Sequence, residues 1–145
     1  MTEITFHFNV HHRLDYSCRL LRKAFLKGAS VVVTADAPTL TELDSRLWSL
    51  LPHEFVPHCR LEVAQSTLDM TPIVLSESLG SVERDGVLIN LGQQVPVAFE
   101  RFDRLIEVVG SDQPERLAAR QRWKHYASRG YVIKQHDLAT NLESA

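Results

Sequence analysis

The stretch richest in chemistry-bearing side chains is "RLAARQRWKHYASRGY", residues 116–131. From Gln113 to Lys134 stand six Lys or Arg (Arg116, Arg120, Arg122, Lys124, Arg129, Lys134) against one acid, Glu115, a local balance of +5 in a chain of formal net charge −2, which leaves −7 for the rest. Charge segregation of this kind bears on partners and association, not on fold. On a helix, Arg116, Arg120 and Lys124 follow one another at i, i+4, i+8 with no acid between them, so they repel instead of pairing. Projection at about 100° per residue sets them along one edge of an apolar stripe of Ala119, Trp123, Tyr126 and Ala127, with Arg122 and Arg129 on the other border. The plain reading is an amphipathic helix whose basic stems cover the rim of a core. An anionic guest, however, would relieve the repulsion. A phosphate chain would follow the cations and stack on Trp123, Tyr126 or Tyr131; an acidic peptide would set its apolar end in an aromatic-lined pocket beside them. The net charge and a pI near 6.4 favour the peptide.

Other constellations point away from catalysis. His11 and His12 stand side by side and so lack the i, i+4 spacing of a helical metal pair, His7 reads as part of the preceding strand, and no carboxylate cluster follows them. No metal is expected. His53 and His58 bracket a loop and are expected to fix its shape through hydrogen bonds. Cys18 and Cys59 have no C-x-x-C spacing and read as buried, inert thiols, not as a disulfide. Cys59 and Ser78 are the available nucleophiles, but neither sits in a G-x-S-x-G elbow. The turn after the first strand, "HHRLDYS", contains no glycine, so it offers neither a dinucleotide fingerprint nor a phosphate loop, and no cofactor is expected.

The elements that carry these residues follow from periodicity. Ile4, Phe6, Phe8 and Val10 alternate as a strand with one face in a core. Tyr16 to Leu26 has helical spacing, and Gly28 is placed to end the helix. "SVVVTA" reads as a strand covered on both faces, hence as part of a parallel sheet. Pro38 and Thr39 open a second helix to about Leu51, with Thr41 as N-cap and Pro52 as its end. "PHEFVPH", 52–58, reads as a loop presenting Phe55 and Val56. "PIVLSES" and "GVLINLG" are two more strands, and "AFERFDRLIEVVG" a helical turn followed by a strand. The last helix runs from Pro114 to Arg129 with Gly130 as its cap, and "YVIKQHDL" is a short edge strand.

These elements predict one α/β domain over 1–138, a mainly parallel twisted sheet in three layers, Rossmann-like without a nucleotide-binding glycine loop, with 139–145 as a flexible tail. A chain of 145 residues with 44% hydrophobic and 23% charged residues folds as one domain without staples. Its apolar runs fall well short of the roughly 20 residues of a membrane span. The N-terminus alternates and carries Glu3, unlike a signal peptide, so a cytoplasmic protein is expected.

With "LDSRLWSLLPHEFVPH" at 43–58 and "RLAARQRWKHYASRGY" at 116–131, the sequence resembles the chi subunit family of bacterial DNA polymerase III. The likeness rests on a tryptophan followed by F-V-P-H and a distant R-x-x-x-R-x-R-aromatic-K, and the order of elements agrees over nearly the whole chain. The resemblance implies a non-catalytic clamp-loader accessory protein that binds the acidic C-terminal tail of single-stranded-DNA-binding protein and reaches DNA only indirectly. Carried onto this chain, the tail-binding residues would be Arg116, Arg120, Trp123 and Lys124. Arg120 would hold the terminal carboxylate bidentately, and Trp123, where the family usually has tyrosine, would wall the apolar pocket. The other stretch resembles the surface that holds the psi subunit, with Trp48 and Phe55 as anchors. The alternatives from other classes are a nucleotide-binding enzyme of similar fold and a direct binder of single-stranded DNA.

Overall fold

The computed structural model describes residues 1–49, 56–60, 71–79 and 85–138. The expectations for Phe55, His53 and the tail 139–145 lie outside the described residues. Among the described residues seven strands form a single sheet: β1 (Glu3–Val10), β2 (Val31–Thr34), β3 (His58–Arg60), β4 (Ile73–Ser76), β5 (Val87–Asn90), β6 (Arg104–Gly110) and β7 (Ile133–Asp137). Their order is β3-β4-β2-β5-β6-β1-β7, and every pairing is parallel. Helices α1 (Arg13–Leu26), α2 (Ala37–Trp48) and α3 (Gln113–Ser128) cover the sheet in a three-layer α/β arrangement.

The run of valines in β2 is buried on both faces. Val31 and Val33 join the apolar cluster of α1 and α2, while Val32 joins the cluster under α3. Gly28 and Gly130 follow α1 and α3 with φ of 75° and 84°, a left-handed conformation that a Cβ would disfavour. Gly86 allows close approach of chains: a Cβ there would meet the Ser30 carbonyl oxygen at 2.4 Å.

Several expectations need correction. β1 does not keep one face to its end. Asn9 has φ 61°, the β1–β6 register shifts between His7 and Val10, and Val10 turns into the α1–α2 cluster while Ile4, Phe6 and Phe8 face α3. Asparagine tolerates the left-handed conformation, and here its Nδ2 donates to Asp137 Oδ1 at 2.8 Å. Helix α2 is capped by Asp36, whose Oδ1 accepts from the Thr39 amide at 2.9 Å, not by Thr41, and its last residue is Trp48. Val56 is fully buried, not presented. His58 opens strand β3, which periodicity missed because it is only three residues long. Among the described residues, no helix is long and apolar enough to cross a membrane.

Candidate functional site

Helix α3 is fastened to the sheet from beneath by a buried polar cluster. Glu107 of β6 is fully buried and burial pushes its carboxyl pKa up, against the pull of the donors around it. Its Oε1 accepts from Arg122 Nε at 3.0 Å and Asn90 Nδ2 at 3.0 Å, and its Oε2 accepts from the Tyr126 hydroxyl at 2.6 Å. Arg122 also donates to the Gln93 carbonyl at 3.0 Å. Buried charges persist only when paired and hydrogen-bonded in this way.

The cluster overturns part of the helical projection. Arg122 is buried and cannot serve as a surface cation, and Ala127 is exposed where the apolar stripe should run. Tyr126 is fully buried with its hydroxyl engaged, which removes it as a base-stacking surface. The stripe that faces the sheet is Ala119, Arg122, Trp123 and Tyr126, with the arginine charge neutralised by Glu107.

What α3 turns outward is the row expected from sequence. Arg116, Arg120 and Lys124 are exposed and Trp123 is half-buried. All four line one cavity of about 370 Å³, whose floor is Phe6 and Phe8 of β1 and Val109 of β6, with Ala119 above and Gln135 of β7 at the side. The Trp123 ring lies 5.0 Å from that of Phe6, tilted by 53°. Among the described residues none of the three cations is in an ion pair. A cleft with an apolar floor, one indole wall and a rim of unneutralised cations can take a ligand with an apolar group and a negative charge a few ångströms apart. Sequence reasoning missed Phe8 and Gln135 as lining. The spacing of two in β1 put Phe6 and Phe8 on one face, but nothing local says that α3 lies over them.

The second group of predicted residues sits on the other helix layer. Trp48, the last residue of α2, is 62% exposed, and its ring lies 5.1 Å from that of His58. His58 Nδ1 bonds the Val56 carbonyl oxygen at 2.8 Å and its Nε2 bonds Asp44 Oδ1 at 2.9 Å, so this histidine does fix the local chain path.

At the carboxyl ends of β1, β5 and β6, where open α/β sheets commonly hold ligands, this chain's own side chains meet. Arg13 donates to the Leu91 carbonyl at 2.6 Å and pairs with Glu115 at 2.9 Å, and Glu115 accepts from the Gly110 amide at 3.0 Å. A Cβ on Gly110 would meet that carboxylate at 2.6 Å. Cys18 and Cys59 are buried and free, and burial together with Asp15 pushes the Cys18 thiol up to about 11. No cluster of three or more His, Cys, Asp or Glu suited to a metal occurs among the described residues.

Comparison with known proteins finds likeness over most of the chain. The family model described as DNA polymerase III chi subunit, HolC, matches residues 1–134. The DNA polymerase III subunit chi of Pseudomonas aeruginosa is 35% identical over 127 residues, covering 87% of this chain and 87% of its own length. That of Haemophilus influenzae is 32% identical over 127 residues, covering 86% of each.

Proposed function

This chain belongs to the DNA polymerase III chi subunit family and so to DNA replication, and on that premise we propose that it is a non-catalytic adaptor binding the acidic C-terminal tail of single-stranded-DNA-binding protein. The observation that carries this reading is the cavity shared by Arg116, Arg120, Trp123 and Lys124 over Phe6 and Phe8. Its floor and indole wall suit the apolar last side chain of a peptide. The guanidinium of Arg120 suits the terminal carboxylate, while Arg116 and Lys124 meet acids further up the tail. The adaptor thereby ties coated template to the replicase.

A direct hold on nucleic acid by this row is less well supported, since Tyr126 is buried and cannot stack. A nucleotide-dependent enzyme is less well supported, since the turn after β1 has no glycine loop and its Arg13 is paired with Glu115. The exposed Trp48 supports a second contact, with the psi subunit, through an aromatic anchor of the kind that dominates interfaces.

The test is calorimetric titration with a short acidic peptide ending in an apolar residue, beside ATP, NAD and an oligonucleotide. The adaptor predicts binding that weakens with salt, with amidation of the peptide's terminus and with Arg120→Ala. Peptide binding indifferent to all three would overturn it.

A further inference from the structure

Two helices on opposite faces of the sheet carry the same cation spacing. Arg19, Lys23 and Lys27 stand at i, i+4, i+8 along α1 and its C-cap, all exposed, just as Arg116, Arg120 and Lys124 do on α3. The one acid between Arg13 and Lys27 is Asp15, and Arg46 of α2 engages it at 2.5 Å. Among the described residues, Arg13, Arg46, Arg122 and Lys134 are in ion pairs, whereas Arg19, Lys23 and Lys27 are not. The helix dipole accounts for cations in the last turn, such as Lys23 and Lys27, but favours nothing at Arg19 in the middle of the helix.

Further observations extend this surface. Arg19 lies over the Tyr16 ring, 5.9 Å from its centroid, a planar pair at one end of the row. Leu26 is 66% exposed between the two lysines and offers an apolar contact at the other end.

The chemistry differs from that of the α3 cleft. There an apolar floor and wall select a ligand with an end. The α1 row lies along one exposed helix face, with charges stepping by about 6 Å from the helical rise, a pattern that tracks a repeating anion and asks for no terminus. In a DNA polymerase subunit family the repeating anion at hand is a DNA strand. We propose that the outward face of α1, centred on Arg19, Lys23 and Lys27, is a contact surface for the phosphate backbone of single-stranded DNA.

With net charge −2 and few phosphate contacts the affinity is low for the free protein, and it counts when another contact holds the chain beside the strand and raises the local concentration. This surface is independent of the tail cleft. The test is fluorescence anisotropy with a labelled oligodeoxythymidine of about 20 nucleotides across a salt series, in which each phosphate neutralised on a single strand contributes about −0.7 to the slope of log K against log salt. The triple variant Arg19→Ala, Lys23→Ala, Lys27→Ala removes three exposed charges, and with them the Arg19–Tyr16 contact, and keeps good helix formers. It is expected to flatten the slope by about 2 and weaken low-salt binding by at least about tenfold, while acidic-peptide binding stays at the wild-type level. Arg120→Ala is expected to leave oligonucleotide binding intact. The proposal fails if the wild type does not bind the oligonucleotide at low salt, if the triple variant binds like the wild type, if the triple variant loses the peptide instead, or if Arg120→Ala is what abolishes oligonucleotide binding.

Discussion

Arg122 Nε and Glu107 Oε1 lie 3.0 Å apart, joining α3 to β6 where both side chains are buried. The pair sits directly behind the cleft, so the helix that carries the cation row is held in rotation by a charge that never faces a ligand. Truncating one partner strands the other. Arg122→Ala should cost about 3–5 kcal/mol of stability, because it leaves an uncompensated carboxylate in the interior. Urea unfolding at neutral pH measures this, and a loss below about 1 kcal/mol would contradict the burial of the pair.

A pH dependence follows from His7. Its Nδ1 lies 2.5 Å from the Tyr16 hydroxyl, its ring is 5.0 Å from that of His136, and burial first, then the charges of His136, Arg104 and Lys23, lower its pKa from 6.5 to about 4. Between those values the unfolded chain binds a proton that the folded protein refuses, so stability falls as pH drops through this window and is intact above it. The loss should be about 2 kcal/mol after allowance for the part of the ring open to water. His7→Gln should flatten this dependence, and equal slopes for the two proteins in unfolding at pH 7 and pH 5 would count against it.

The left-handed kink at Asn9 yields a graded prediction. Asn9→Gly should change stability by less than about 1 kcal/mol, since glycine adopts positive φ freely although the bond to Asp137 goes. Asn9→Val should cost upwards of about 2 kcal/mol because a β-branched residue resists that conformation. Thermal midpoints of the two variants, measured side by side, decide the matter. The reverse order would mean that the strand does not turn at this point.

Within the cleft, Trp123→Ala should weaken binding of the acidic peptide by at least about tenfold, as expected of an aromatic anchor. Trp123→Tyr, which restores a flat wall, should keep affinity within about threefold. Titration calorimetry on both variants separates a wall from a bystander, and unchanged affinity in the alanine variant would remove Trp123 from the site.

Most of the fold could be read from local pattern because the sheet is parallel and its strands announce themselves as short β-branched runs, as at Val31–Val33. The all-parallel order could not be, since strand pairing is set by contacts between distant residues such as Ile4 and Ile133. The cation row of the candidate site was legible from four-residue spacing alone. Arg122 was misread because projection ranks side chains by polarity, and only tertiary structure reveals a buried acid waiting on another strand. Val10 escaped for a related reason: alternation in β1 holds until one left-handed residue reverses it, and asparagine signals that only weakly. The rest of the cleft's lining was out of reach because Phe8 and Gln135 meet α3 only after β1 and β7 have paired.

That pairing sets an order of events during synthesis. β1 is made before both of its neighbours in the sheet, β6 and β7, with Ile4 opposite both Leu105 and Ile133. Until those late segments arrive, Phe6 and Phe8 have no helix above them and no strand beside them, and such long-range parallel pairing is slow. The cleft therefore cannot exist before β7 has been made, and a chain cut short of β7 cannot compete for whatever the cleft holds.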